Sequence, residues 1–202
     1  MNRVRVSLVV GLLSSVSSLK CWAQSQADAF ATSYAAEAKA NYPDAIGALQ
    51  AVYTGTYEQN VRLGWLFFLA KNYSSSTAHY QKAVEQRPAA LEAKFGLVKP
   101  LNAMGQMDKV LQLYTDILHI NPQNTQANYW TGIIYFNRKA YAQAASHFER
   151  VVSLYPFDYD ANFSLAAAYH SLGRKAEARS LYGKVLLIRP ADAAATEALN
   201  HL

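Results

Sequence analysis

Four of the prolines in this 202-residue chain, Pro88, Pro122, Pro156 and Pro190, are evenly spaced along the sequence. A period kept over four copies restricts the chain to a repeat architecture, because a unit of this length cannot bury its apolar face alone and must stack on its neighbours. Proline cannot continue a helix and biases the preceding residue away from helical angles, so each proline marks the end of a helix. Eight positions before it an aromatic recurs, Tyr80, Tyr114, Phe148 and Tyr182, and five before it a small or branched apolar residue, Ala83, Ile117, Val151 and Val185. The first half of each unit carries Leu63, Leu97, Thr131 and Leu165, followed by Gly64, Val98, Gly132 and Ala166, and the second half carries Ser76, Val110, Ala144 and Ala178. Mostly small residues at the last two places let antiparallel helices approach closely, while the aromatics fill the space between pairs. Units 57–90, 91–124, 125–158 and 159–192 therefore each read as helix, turn and helix.

This pattern resembles the tetratricopeptide repeat (TPR) family, best in Gly132, Tyr135, Tyr141, Ala144, Phe148 and Pro156, and in Leu165, Ala166, Tyr169, Leu172, Gly173, Ala178, Tyr182 and Pro190. The resemblance implies an all-α fold, a right-handed α-solenoid of stacked helix-turn-helix units. It departs from the family at the fourth place of each unit, often Trp, where Asn60, Lys94, Asn128 and Asn162 stand. Residues 26–56 read as a degenerate N-terminal helical pair: Tyr42, Ala45 and Leu49 repeat the spacing of Tyr141, Ala144 and Phe148, but the step from Tyr42 to Tyr73 is shorter than the period. Residues 193–202 begin another first helix and stop, as expected of a capping helix over the last apolar face. Pro100, inside the first helix of the second unit, removes the hydrogen bond to the Gly96 carbonyl and predicts a kink there.

Residues 1–25 have the layout of a secretory signal peptide: a basic start, Met1 to Arg5, then Val6 to Leu19 with five serines, then the small residues Ala23 and Ser25. Cleavage after Ala23 and after Ser25 both fit, and the expected location is the periplasm or outside the cell. The apolar run is too short and too serine-rich for a lasting anchor, so any membrane contact would come through the uncleaved signal. Lys20 before Cys21, the one cysteine, argues against a lipoprotein signal. Once the signal is removed, the mature chain has neither a disulfide nor a thiol nucleophile. Of the formal +5 charge, Arg3, Arg5 and Lys20 supply three, leaving 16 basic against 14 acidic residues. That balance lacks the clustered cations that binding to nucleic acid requires.

No catalytic signature stands out. There is no Gly-rich phosphate loop, no His-Glu-x-x-His, and no Cys and His pair at metal spacing, so no enzyme activity, cofactor or metal is expected. His79 and His147 read as surface residues two units apart. Asp158 and Asp160 read as carboxylates at a helix N-terminus, where they stabilise exposed amides.

The family's binding groove lies on the first helices. Carried over by register, its places are Val61, Phe95, Tyr129 and Phe163 in one row, Trp65, Lys99, Ile133 and Ala167 in the next, and Phe68, Asn102, Phe136 and His170 beyond. The candidate partner-binding residues are therefore Trp65, Phe68, Phe95, Lys99, Tyr129, Ile133, Phe136, Phe163 and His170. Tyr129 and Phe163, one period apart, are expected to share a row along one extended ligand. Family members that bind chaperone tails clamp a terminal carboxylate with Lys, Asn and Arg. Here those places hold Val61, Trp65, Gly96, Gln126 and Trp130, which do not support that activity. Taken with the signal-peptide layout of residues 1–25, the resemblance implies an exported scaffold binding a protein or peptide through an aromatic groove, with polysaccharide in envelope or exopolysaccharide assembly as the alternative ligand.

Overall fold

The computed structural model describes residues 24–202, which form eleven helices and no strand. The proposed targeting segment lies outside the described residues apart from its last two positions. The helices are α1 (24–37), α2 (Tyr42–Gln50), α3 (Tyr57–Leu69), α4 (Tyr73–Gln86), α5 (Leu91–Ala103), α6 (Met107–Ile120), α7 (Thr125–Asn137), α8 (Tyr141–Leu154), α9 (Tyr159–Ser171), α10 (Lys175–Ile188) and α11 (Ala193–Asn200). They fall into two compact bodies that divide between Met104 and Gly105, inside the second repeat unit. In the first, α3 packs on α4, α4 on α5 and α2 on α3. In the second, α7 packs on α8, α8 on α9 and α9 on α10, with α6 against α7 and α11 against α10.

Local sequence sets both ends of the first helices. Thr56, Asn124, Asp158 and Asp192 are N-caps one or two periods apart, and their side chains accept from the amides of Gln59, Ala127, Ala161 and Ala195. Each satisfies an amide that the helix leaves open, so Asp158 is a cap, as its position implied. The turn into the second helix passes through a left-handed residue at the same place in every unit: Lys71, Gly105, Lys139 and Gly173, with φ of 59°, 70°, 61° and 75°. Closing bonds from Asn72 N to Phe67 O, Ala140 N to Tyr135 O and Arg174 N to Tyr169 O, 2.8 to 2.9 Å, complete the reversal. Glycine takes that conformation without strain and lysine does not, so the stacking of the helices it joins must hold Lys71 and Lys139 there.

The recurring aromatics fill the space opened by the small residues. The Tyr80 ring lies between Gly64 of α3 and Gly96 of α5, and the Phe148 ring lies on Gly132 of α7. Tyr80, Phe148 and Tyr182 are at most 3% exposed. Helix α5 runs as one element from Leu91 to Ala103 with Pro100 buried inside it, and its Pro100 carbonyl accepts from Met104 N at 3.0 Å.

At the fourth place of the first, third and fourth units the structure shows why asparagine suits a site where the family often carries tryptophan. Asn60, Asn128 and Asn162 are at most 1% exposed. Asn128 Nδ2 donates to the Pro122 and Asn124 carbonyls, and Asn162 Nδ2 to those of Pro156 and Asp158, which ties the loop ending one unit to the helix opening the next. The histidines expected at the surface belong to this arrangement and are half-buried. His147 Nδ1 donates to Asn128 Oδ1 at 3.0 Å and its ring stacks on Tyr135, while His79 repeats the pattern with Asn60 and Phe67. Register alone placed them on the outside; the buried acceptor one helix away draws them in. In the fourth unit Leu181 takes the histidine's place, and the buried Asn162 Oδ1 has no hydrogen-bond partner among the described residues.

Burial holds both histidines below the ordinary imidazole range, with Lys82 adding to the effect at His79 and Arg150 at His147. A group whose folded pKa lies below its unfolded value opposes protonation of the folded state. Stability is therefore complete near pH 7.5 and falls as the pH drops through the unfolded value of about 6.5, until the lower folded value is passed. The doubly substituted His79→Gln, His147→Gln chain is expected to show a smaller drop in Tm between pH 7.5 and 5.5 than the parent. An equal drop in both proteins would assign the acid sensitivity to other groups.

Candidate functional site

The first body carries a groove of about 550 Å³ on the neighbouring faces of α1, α3 and α5. Its chemistry follows from helical spacing. Glu58, Val61 and Trp65 lie at i, i+3 and i+7 on α3, and Glu92, Phe95 and Lys99 occupy the same places on α5, so each triplet forms a stripe along one helix face. Glu58 and Glu92 lie at the N-terminal ends, where carboxylates are favoured by the helix dipole. Apolar groups fill the middle, and α1 adds Phe30 and Tyr34 as a third wall.

The far end of the groove is fixed by hydrogen bonds. Trp65 Nε1 donates to Glu37 Oε1 at 2.7 Å, and the other Glu37 oxygen pairs with the Arg62 guanidinium, which is 7% exposed. The Arg62 guanidinium also lies 3.8 Å from the centre of the Tyr34 ring. On the open side the Lys99 ammonium stands 4.8 Å from the centre of the Trp65 ring, a favourable cation and ring contact that holds a flexible chain over the groove. At the near end Arg87 pairs with Glu58 at 2.9 Å and lies over the Tyr57 ring, and the Tyr57 hydroxyl donates to Glu92 at 3.4 Å. Burial, followed by the Glu92 charge, raises the Tyr57 pKa.

Of the residues singled out in the sequence, Trp65, Phe95 and Lys99 line this groove together. Phe68 stands beside it, its ring 5.9 Å from those of Trp65 and Tyr73. The others belong to the second body. Tyr129, Ile133, Phe136 and Phe163 are half-buried against the core of Phe148, Leu165 and Tyr182. The Tyr129 ring is 5.9 Å from Phe148, Phe163 is 5.5 Å from Tyr182, and Phe136 is 5.2 Å from Tyr141. His170 is half-buried in the last turn of α9.

Sequence reasoning did not select Tyr34, Arg62 or Glu92. Glu92 was readable as the residue seven before Lys99 on one helix. Tyr34 was not, because the shortened connection in residues 26–56 removes the register that would align α1 with α3. Among the described residues, no group of three or more His, Cys, Asp or Glu is placed to hold a metal, and no helix is long and apolar enough to cross a membrane.

Paired antiparallel helices with aromatics wedged between them define the α-solenoid class of repeat proteins. Tetratricopeptide repeat profiles match residues 103–159 and 135–202, and the chain belongs to the tetratricopeptide repeat family. Sequence comparison with curated proteins returns no match. Among solved structures, a tetratricopeptide repeat protein from Parabacteroides merdae aligns with a TM-score of 0.76 and 18% identity over 88% of this chain and 72% of its own. The MamA protein aligns with a TM-score of 0.73 and 18% identity over 85% of this chain and 96% of its own. YrrB, described as a TPR protein with an unusual peptide-binding site, aligns at 0.68 and 17% over 84% of this chain and 89% of its own. At these identities the likeness is one of fold: an all-α solenoid of helix-turn-helix units.

Proposed function

We propose that this chain is an exported interaction scaffold that holds an extended protein or peptide segment in the groove of α1, α3 and α5, with no chemistry of its own. The observation that carries the reading is the groove: a 550 Å³ concavity whose middle is apolar and aromatic, with charged groups confined to its ends. Partly buried aromatic anchors dominate interface energies, and an apolar centre with a polar rim is the usual anatomy of a recognition surface. The peptide-binding description of YrrB, a neighbour in fold, agrees with this use of the scaffold.

Panning a displayed peptide library on the purified chain tests it. The expected result is enrichment of sequences with an apolar or aromatic anchor, bound about 30-fold more weakly by Trp65→Ala, which corresponds to roughly 2 kcal/mol. Tyr129→Ala and Phe163→Ala, whose rings lean on the core of the second body, are expected to lose more stability than affinity. Absence of enrichment, combined with Trp65-dependent retention on polysaccharide, would move the assignment to the carbohydrate alternative.

Export rests on the layout of residues 1–25. Intact mass of the chain from its native host is expected to correspond to a chain that begins just after Ala23 or just after Ser25. Recovery of the full-length chain from the cytoplasm would overturn it.

A further inference from the structure

The groove holds four charged lining residues, Glu58, Arg62, Glu92 and Lys99, and two of them are already neutralised. Glu58 pairs with Arg87 and Arg62 pairs with Glu37. That leaves one carboxylate and one ammonium, Glu92 at the near end and Lys99 at the far end, both exposed and neither in an ion pair among the described residues. They lie on one face of α5, seven positions apart and therefore about 10 Å along the helix axis. The Phe95 ring and, across the groove, Val61 and Trp65 occupy the interval. An extended chain advances about 3.3 to 3.6 Å per residue, so three residues of bound peptide span that distance.

We propose that the groove selects an extended segment carrying charges of opposite sign three positions apart, with two apolar residues between them, its cation against Glu92 and its anion against Lys99. This specificity rests on the peptide-binding reading of the same groove and deepens it. Lys99 is suited to the task because its ammonium is held over Trp65 without a carboxylate, so it meets a ligand anion without first breaking an ion pair. Glu92 accepts one long hydrogen bond from Tyr57, which keeps the carboxylate at the groove mouth and leaves its remaining acceptor positions available. The parallel stripe on α3 does not compete, because Glu58 is neutralised and Trp65 stands where α5 has Lys99. A segment with two cations or two anions at the same spacing would satisfy one end and be repelled at the other, which is how a rim charge pattern excludes wrong partners.

The test uses four capped peptides with the same two central residues, leucine and phenylalanine, flanked by lysine and glutamate, by two lysines, by two glutamates or by two glutamines. Binding to the full chain is measured by fluorescence anisotropy at low salt and again at ten times that concentration. The lysine and glutamate peptide is expected to bind about five-fold or more tightly than the other three at low salt, and the advantage is expected to shrink at high salt. Glu92→Lys should shift the preference to the two-glutamate peptide and Lys99→Glu to the two-lysine peptide. Both positions are exposed, and an unchanged Tm checks that each variant folds. Equal binding of all four peptides, still lost in Trp65→Ala, would overturn the charge rule and leave the groove reading standing. No Trp65-dependent binding of any peptide would overturn both.

Discussion

Phe148→Ala is expected to cost about 3 to 5 kcal/mol, the loss usual for a fully buried aromatic whose site cannot collapse. Phe148 is completely buried, and a Cβ added at Gly132 would come within 2.5 Å of its ring, so α7 has been shaped to the aromatic and has no side chain there to refill the space. The same core holds Leu165, Ala166 and Tyr182, so the vacated volume is shared by α7, α8, α9 and α10. In a repeat array each unit contacts only its neighbours, and damage stays near its origin. Urea unfolding gives the free energy and amide hydrogen exchange gives its distribution. Loss of protection concentrated in α7 to α10 is expected, and uniform loss along the chain would contradict a stacked-repeat core.

Gly96→Ala is expected to destabilise by about 1 to 3 kcal/mol, as for overpacked core positions. Ordinarily this exchange in a helix interior gains up to about 1 kcal/mol. The sign reverses here because the new Cβ would overlap the Tyr80 ring, while on the other side a Cβ at Gly64 would already be 2.7 Å from that ring. Tyr80 is clasped by two helices and cannot slide away from one without striking the other. Gly183, within α10, is the control, since a Cβ there meets nothing within 4 Å. Gly183→Ala should raise Tm where Gly96→Ala lowers it. If both variants are stabilised, Tyr80 is not held as tightly as the packing indicates. Combining Gly96→Ala with Tyr80→Leu should recover part of the loss.

Much of the fold was legible because its determinants are local and periodic. The prolines end helices through their own covalent geometry, and the caps at Asn124, Asp158 and Asp192 satisfy amides only three positions away. The alternation of small residues with Tyr80 and Phe148 announced close helix pairs, and the two rings lie on glycines as that alternation requires. These features repeat at one spacing, so four weak signals add into one strong signal.

The constant register of the repeats by itself determined that helix-turn-helix units form, where they begin and end, and that Trp65, Phe95 and Lys99 share a set of helix faces. Tertiary structure decided what those faces meet. His79 and His147 were drawn inward by buried asparagine acceptors on another helix, which a pattern of residue types along one segment does not encode. Tyr129 and Phe163, placed by register in the groove row, lie half-buried against Phe148 and Tyr182. The charge pattern of the groove likewise depends on pairings across helices. Arg62 is cancelled by Glu37 of α1, and Glu58 by Arg87 beyond the end of α4, leaving Glu92 and Lys99 as the groove's net charges. Helix formation and capping are decided within a few positions, whereas burial and charge cancellation depend on side chains from different helices, distant in sequence, whose approach is known only once the helices have packed.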